Sequence, residues 1–267
     1  MILIDGRKAR EYYLPRLVEK IKSLPTPPTL LIVQVGSRAD SDAFIKGKKS
    51  FALKIGAREI HKKFDENVTQ AEVIDFIRIH NDDKNVNGII VQLPLPAHLN
   101  SDEIISNINP LKDVDGLTHG TKFMPATARG ISQLFDFYKI DLVNKNVVVM
   151  GRSKLVGTPI ANMCKAKGAV VTVLHSQSEN IESHTKKADI LIVAIGKAQF
   201  VNEKLLSKGQ IVIDVGISRV GEGDNSKLVG DVDFENVKDI VEMITPVPGG
   251  VGQMTVLALF ENLVDSC

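Results

Sequence analysis

Tryptophan is absent from this 267-residue chain, and aromatic residues make up only 5% of it. Binding to single-stranded nucleic acid stacks bases on such rings, so no base-stacking platform is expected. An excess of one charge is also lacking: 33 lysines and arginines face 32 aspartates and glutamates, a formal net charge of +1. That balance withholds the basic footprint of a nucleic-acid binder. The only cysteines, Cys164 and Cys267, are too few for a disulfide framework or a cysteine-built zinc site. The six histidines fall in no HExxH or similar ligand spacing, so no metal site is expected. Apolar runs such as ILIVAIG fall far short of the ~20 residues a membrane helix needs. The opening MILIDGRKAR carries charge from Asp5 onward and has no apolar h-region, so a secretory signal is not expected either. These absences lead us to expect a soluble protein of a reducing, cytoplasmic compartment, with neither nucleic acid nor membrane as a partner.

What is present is a core. Hydrophobic residues make up 43% of the chain, which argues against disorder. Short β-branched runs recur: TLLIVQV, NGIIVQL, NVVVMG, VVTVL, DILIVAIG and QIVIDVG. Longer stretches of helical periodicity separate most of them. Near-continuous apolar strands alternating with helices predict an α/β fold with parallel sheet buried on both faces. A polar, Gly/Pro-containing stretch, NPLKDVDGLTHGTKFMPATARG, separates two halves, and an apolar helix, VGQMTVLALFENLV, follows the dense turn TPVPGG. Two domains with a cleft between them are expected, the last helix packing back across the boundary.

In the second half, NVVVMGRSKLVGTPIANMCKAKGAVVTVLH has the layout of a first βαβ unit. A strand over 146–150 ends at Gly151, a helix runs from about Val156 to Lys167, and Gly168 can end it with positive φ. The turn reads G-R-S-x-x-x-G, with Ser153 where a dinucleotide fingerprint has its second glycine. The rival reading is an ordinary strand–helix turn whose glycines only relieve backbone strain. An NAD site places a carboxylate about 20 residues on, at the end of the second strand. Here that strand ends in VLHSQS, which offers His175, Ser176 and Ser178 but no carboxylate. Arg152 in the phosphate turn suits a 2′-phosphate, which favours NADP; Glu179, just beyond, keeps NAD open.

In the first half, SDAFIKGKKS crowds three lysines into four positions. At 100° per residue, a helix over Ser41–Ile55 puts Ser41, Phe44, Ile45, Lys48, Ala52 and Ile55 within about 100° of one another. Lys48 is therefore the lysine on the apolar stripe. One reading is snorkelling, with the stem over the core and the ammonium in water. The other is a partly desolvated amine of lowered pKa, ready for proton transfer. The run GIIVQLPLPAHL ends an apolar strand with Gln92 before two prolines, at the strand end where open α/β sheets bind ligands. KDVDGL places Asp113 and Asp115 nearby in the chain; Asp-Gly is also ordinary turn chemistry.

With these residues assembled, the chain resembles the bifunctional methylenetetrahydrofolate dehydrogenase/methenyltetrahydrofolate cyclohydrolase family over nearly its whole length. The resemblance is carried by VQLPLPAHL, KDVDG, GRSKLVGTPIANM, IVIDVGI, GDVDF and TPVPGGVGQMT, in that order. It implies a substrate and catalytic domain over 1–118, a Rossmann-type NADP-binding domain over 119–249, and a helix over 250–267 returning to the first. It further implies a homodimer, tetrahydrofolate one-carbon derivatives as substrates and NADP as cofactor. Lys48 matches the family's catalytic lysine, Ser41 its helix-start serine, Gln92 the glutamine that bonds toward the lysine, and Asp115 the aspartate that binds the pterin. Phe44, Leu93, Pro94, Gly249 and Gly250 fall at substrate-binding positions. Gly151, Arg152, Ser153, Ser176, Ala194, Gly196 and Ile217 fall at cofactor-binding ones.

Four motifs depart from the family pattern. Phe44 stands for a tyrosine, PATA (125–128) for PCTP, Gln253 for a proline, and AIGKAQF (194–200) for AVGKPGF. Two rival readings are a folate- or nucleotide-binding relative that has lost catalysis, and a short-chain dehydrogenase, whose Tyr-x-x-x-Lys spacing Phe44 and Lys48 share. In the latter class the nucleotide turn precedes that pair, whereas here it follows.

Overall fold

The structure is a computed structural model that describes residues 1–221 and 226–267. In chain order its first elements are β1 (Ile2–Leu3), α1 (Gly6–Ser23), β2 (Thr29–Val35), α2 (Ala39–Ile55), β3 (Arg58–Phe64), α3 (Gln70–Asn81), β4 (Gly88–Val91) and α4 (Ser101–Ser106). Then come α5 (Ala126–Tyr138), β5 (Asn146–Met150), α6 (Gly157–Ala166), β6 (Val170–Leu174), α7 (Ile181–Lys186), β7 (Ile190–Val193) and β8 (Ile211–Asp214). The last are β9 (Ser218–Val220), β10 (Lys227–Val229), α8 (Phe234–Val237), β11 (Met243–Ile244) and α9 (Val251–Asp265). Contacts group these into two compact units, one of Tyr13–Ala126 with Val256–Cys267, the other of Met1–Tyr12 with Thr127–Thr255.

The first unit is built on a parallel three-stranded sheet in the order β3-β2-β4, with Leu31 opposite Ile60 on one side and Ile89 on the other. Every residue of β2 is buried, as its unbroken apolar run requires of a central parallel strand. β3, REIHKKF, is an edge strand whose charges discourage further pairing. Helix α2 ends at Gly56, whose φ of 80° lets its N–H reach the carbonyls of Ala52 and Leu53. α3 starts with a capping box between Thr69 and Glu72. Within this unit the later part of α9 fills the core: Phe260 and Leu263 are fully buried, and the Phe260 ring lies 5.4 Å from that of Phe51 on α2.

The second unit holds a six-stranded sheet in the order β1-β11-β8-β7-β5-β6, parallel throughout, and a separate antiparallel pair, β9 with β10. The two-domain α/β architecture thus agrees with expectation. The extreme amino terminus does not follow the expected division: Ile2 pairs with Met243 and Leu3 with Ile244, so β1 belongs to the six-stranded sheet. A two-residue strand carries no period, and its placement comes from backbone pairing alone.

Both sheets share one topological feature. β2 is flanked by β3 on one side and β4 on the other, and β5 by β6 and β7. Chain connections from the central strand therefore leave in opposite directions, opening a crevice at its carboxyl end where α/β folds bind ligands.

Candidate active site

The carboxyl ends of β2 and β4 carry the first group of predicted residues. Lys48 projects from α2, half-buried, and its Nζ donates to Gln92 Oε1 at 2.8 Å. Gln92 follows β4, its backbone N–H bonded to Val33 O at 2.8 Å. Its Nε2 donates to the carbonyl of Leu93, also at 2.8 Å. The amide is thereby held at its nitrogen end, which leaves the oxygen facing the lysine. The Leu93–Pro94 peptide bond is cis. Ser41, in the first turn of α2, is buried. Phe44, one turn before Lys48 on the same face, is 42% exposed, so the apolar stripe is not covered by protein at this point.

The aspartate pair divides its labour. Asp113 is fully buried; its Oδ1 accepts from Gly116 N at 3.0 Å and its Oδ2 from Thr118 N at 2.6 Å. It is the turn-forming carboxylate. Asp115 is the one that acts electrostatically on Lys48. Gly116, at φ 76°, presses against Pro125, where a Cβ would come within 2.7 Å of its backbone; no larger residue fits there. Asn262 on α9 donates to Val114 O at 2.8 Å and to Met124 O at 3.0 Å, clamping the segment on both sides of Asp115. No local pattern marks Asn262 in the sequence, since α9 also carries Gln253, Thr255 and Glu261.

Burial sets the protonation of this group. It pulls the Lys48 ammonium below the ordinary lysine value, against the opposing attraction of Asp115. Burial likewise pushes the Asp115 carboxyl up, a rise that Lys48 resists and Asp113 adds to. The result is an amine that loses its proton more readily than an exposed lysine, tethered by a neutral acceptor.

The second group lies at the carboxyl ends of β5 and β7 in the six-stranded sheet. A cavity of about 290 Å³ is lined there by Gly151, Arg152, Ser153, His175, Ser176 and Ala194, among others. Gly151 takes φ 118°, and a Cβ on it would collide with Ala194 O. A Cβ on Gly157 would collide with Gly151 O. These two glycines let the start of α6 close onto the strand end, which is what a dinucleotide-binding turn requires. Ser153 supplies what the absent second glycine does not: its Oγ accepts from Val156 N at 3.2 Å and Gly157 N at 3.4 Å.

Arg152 reaches Gln177 Oε1 at 3.4 Å and lines the same cavity as Ser176. Lys197 and Phe200 also line it, with the Lys197 Nζ 5.6 Å from the Phe200 ring centre; neither was singled out from the sequence. Two cations, a helix amino terminus and glycines in close approach fit the diphosphate and 2′-phosphate of a dinucleotide. Gly196, at φ 66°, turns the chain beyond β7, and Ile217, 39% exposed, follows β8.

Gly249 and Gly250 fall in this unit and are buried. Gly6 N donates to Gly249 O at 2.9 Å, and a Cβ on Gly250 would lie 2.6 Å from Pro246 O. Protein packing alone therefore demands glycine at Gly250.

Family models and known proteins match both halves of the chain. The tetrahydrofolate dehydrogenase/cyclohydrolase catalytic domain matches residues 4–115, and the NAD(P)-binding domain of the same family matches residues 125–267. The bifunctional protein FolD of Acholeplasma laidlawii is 44% identical over 272 residues, covering 98% of this chain and 96% of that protein. The bifunctional FolD methylenetetrahydrofolate dehydrogenase/cyclohydrolase of Campylobacter jejuni superposes with a TM-score of 0.94 at 38% identity, over 100% of this chain and 98% of its own. The Trypanosoma brucei N5,N10-methylenetetrahydrofolate dehydrogenase-cyclohydrolase, solved with NADP cofactor and an inhibitor, gives 0.94 at 30% identity, over 100% and 97%. With a tethered amine at one strand end, a dinucleotide turn at the other, and relatives matching across both, the chain belongs to the tetrahydrofolate dehydrogenase/cyclohydrolase family.

Proposed function

We propose that this protein oxidises 5,10-methylenetetrahydrofolate to 5,10-methenyltetrahydrofolate with NADP and hydrolyses the product to 10-formyltetrahydrofolate. The observation that carries this reading is the half-buried Lys48 amine held at 2.8 Å by Gln92, beside Asp115. The methenyl product is a delocalised cation. A charged ammonium facing it would be repelled, whereas an amine of lowered pKa can stay neutral and act as a base.

Asp115 accepts hydrogen bonds from the amino and ring N–H groups of the pterin. Phe44 stacks on the folate ring through the face that protein leaves uncovered. Ser41, Leu93 and Pro94 complete the substrate contacts of this unit, and family resemblance makes Gly249 and Gly250 substrate-binding positions of the other. Lys48 takes a proton from water as its oxygen bonds to the cationic carbon, then donates one to N5 as the carbon–N5 bond breaks. One proton is released overall, and 10-formyltetrahydrofolate remains. Gln92 keeps the amine in place without adding charge.

Bound NADP supplies the hydride acceptor for the first step. Gly151 and Ser153 hold its diphosphate against the start of α6, Arg152 and Ser176 favour its 2′-phosphate over NAD, Ala194 and Gly196 add cofactor contacts, and Ile217 lies on its nicotinamide side. Family resemblance supports a homodimer acting in cytoplasmic one-carbon metabolism that feeds purine biosynthesis. No helix among the described residues is long and apolar enough to cross a membrane.

An absorbance assay tests the reading directly. With methylenetetrahydrofolate and NADP, the purified chain should reduce NADP; supplied with methenyltetrahydrofolate alone, it should discharge that chromophore faster than buffer. Absence of both activities from folded protein would refute the assignment.

A further inference from the structure

Two buried carboxylates in the six-stranded unit are left over from the proposed chemistry. Asp214 ends β8 and Asp231 follows β10; they are 3% and 0% exposed. Asp231 Oδ2 accepts from the backbone N–H of Ile195 at 2.7 Å and of Gly196 at 2.9 Å. Ile195 and its neighbour Lys197 line the 290 Å³ cavity. Asp214 in turn grips the Asp231 segment: its Oδ1 accepts from Asp231 N at 3.0 Å and its Oδ2 from Val232 N at 2.9 Å. The same Oδ1 accepts from Gly216 N at 3.0 Å, next to Ile217. The turn after β7 and the turn after β8 are therefore tied together through two carboxylates in series.

The neighbouring glycines fit the same device. A Cβ on Gly216 would run into the Asp231 carboxylate, and one on Gly230 into that of Asp214. The close backbone lets Asp214 reach the N–H groups of Asp231 and Val232 and Asp231 those of Ile195 and Gly196. Asp231 Oδ1 has no hydrogen-bond partner. A carboxylate with one oxygen unsatisfied is a costly way to fill a core, so bulk packing does not account for it. What the other oxygen holds is the turn at the cavity wall.

We propose that Asp231 is a positioning residue for the dehydrogenase step, shaping the Ile195–Lys197 turn against the nicotinamide cofactor, with Asp214 as the link that fixes Asp231 itself. The proposal rests on the NADP-dependent reading above. It assigns Asp231 no contact with substrate and no part in hydration, which belongs to the Lys48 group.

Asp231→Asn keeps an amide oxygen able to accept from Ile195 and Gly196, and Asp231→Ala removes it. In Asp231→Ala the KM for NADP should rise about tenfold or more, while hydration of supplied methenyltetrahydrofolate stays within about twofold of wild type. Asp231→Asn should show a smaller rise, about threefold, with hydration unchanged. An unchanged KM for NADP in both variants, or dehydrogenase and hydration falling by the same factor, would overturn the proposal. If Asp231→Ala is insoluble, Asp231→Asn decides alone: a raised KM with intact hydration supports the role, and a wild-type KM refutes it. Failure of the underlying reading would look different, since wild type itself would then lack NADP-dependent oxidation.

Discussion

The two groups of candidate residues occupy corresponding places in two different sheets, at the carboxyl end of the strand where the strand order reverses, yet they are made of opposite materials. At β2 and β4 the chemistry is carried by side chains: Lys48 tethered to Gln92 at 2.8 Å, with Asp115 beside it. At β5 and β7 much of the shape is backbone, with Gly151 and Gly157 closing the start of α6 onto the strand end. An amine acquires a useful pKa by being withdrawn from water, so its site needs apolar cover and one neutral tether. A dinucleotide needs N–H groups at contact distance from phosphate, so its site needs missing Cβ atoms. The same topology serves both because it supplies only a crevice.

That contrast predicts separable damage. Lys48→Met should lower the hydration rate by about 10²–10⁴-fold, the range of a lost general acid–base group. NADP affinity, followed by fluorescence titration, should change less than about twofold in the same variant. Gly157→Ala should do the converse, raising the Kd for NADP by more than about tenfold, or about 1.4 kcal/mol, because its Cβ meets Gly151 O; hydration should persist. Arg152→Ala should raise the KM for NADP by about tenfold while leaving that for NAD nearly unchanged, as steady-state assays with each cofactor would register. Phe44→Tyr should be nearly silent in thermal unfolding, within about 0.5 kcal/mol, since the ring is 42% exposed. A Lys48→Met variant that lost NADP and hydration together would break the comparison outright.

How far the sequence foretold this depends on which residues are considered. The six β-branched runs became β2, β4, β5, β6, β7 and β8; all but the edge strand β6, where Val170 is exposed, are apolar because they are buried on both faces. β3 escaped notice because an edge strand tolerates charge, and REIHKKF shows it. β1 and β11 are two residues each, too short for any period. The helix over Ser41–Ile55 emerged as Ala39–Ile55, and that expected from Val156 to Lys167 as Gly157–Ala166.

Periodicity singled out Lys48 but could not say that its nitrogen meets a glutamine 44 residues away. It could not separate Asp113 from Asp115 either, since both suit a turn; the bonds from Gly116 and Thr118 do so. Phe44 shares the stripe's direction but not its burial. Asn262 and Asp231 act through partners far along the chain, and no local pattern marks such a bond.

The central claim is that burial leaves the Lys48 amine easier to deprotonate than an ordinary lysine. An NMR titration of its ε-methylene carbon, assigned by comparison with Lys48→Met, measures this without substrate. The account predicts a midpoint clearly below the ~10.4 of a free lysine side chain, with hydration rising as pH climbs through that midpoint because the neutral amine is the active form. A midpoint at the free-lysine value, with hydration still intact at neutral pH, would contradict it.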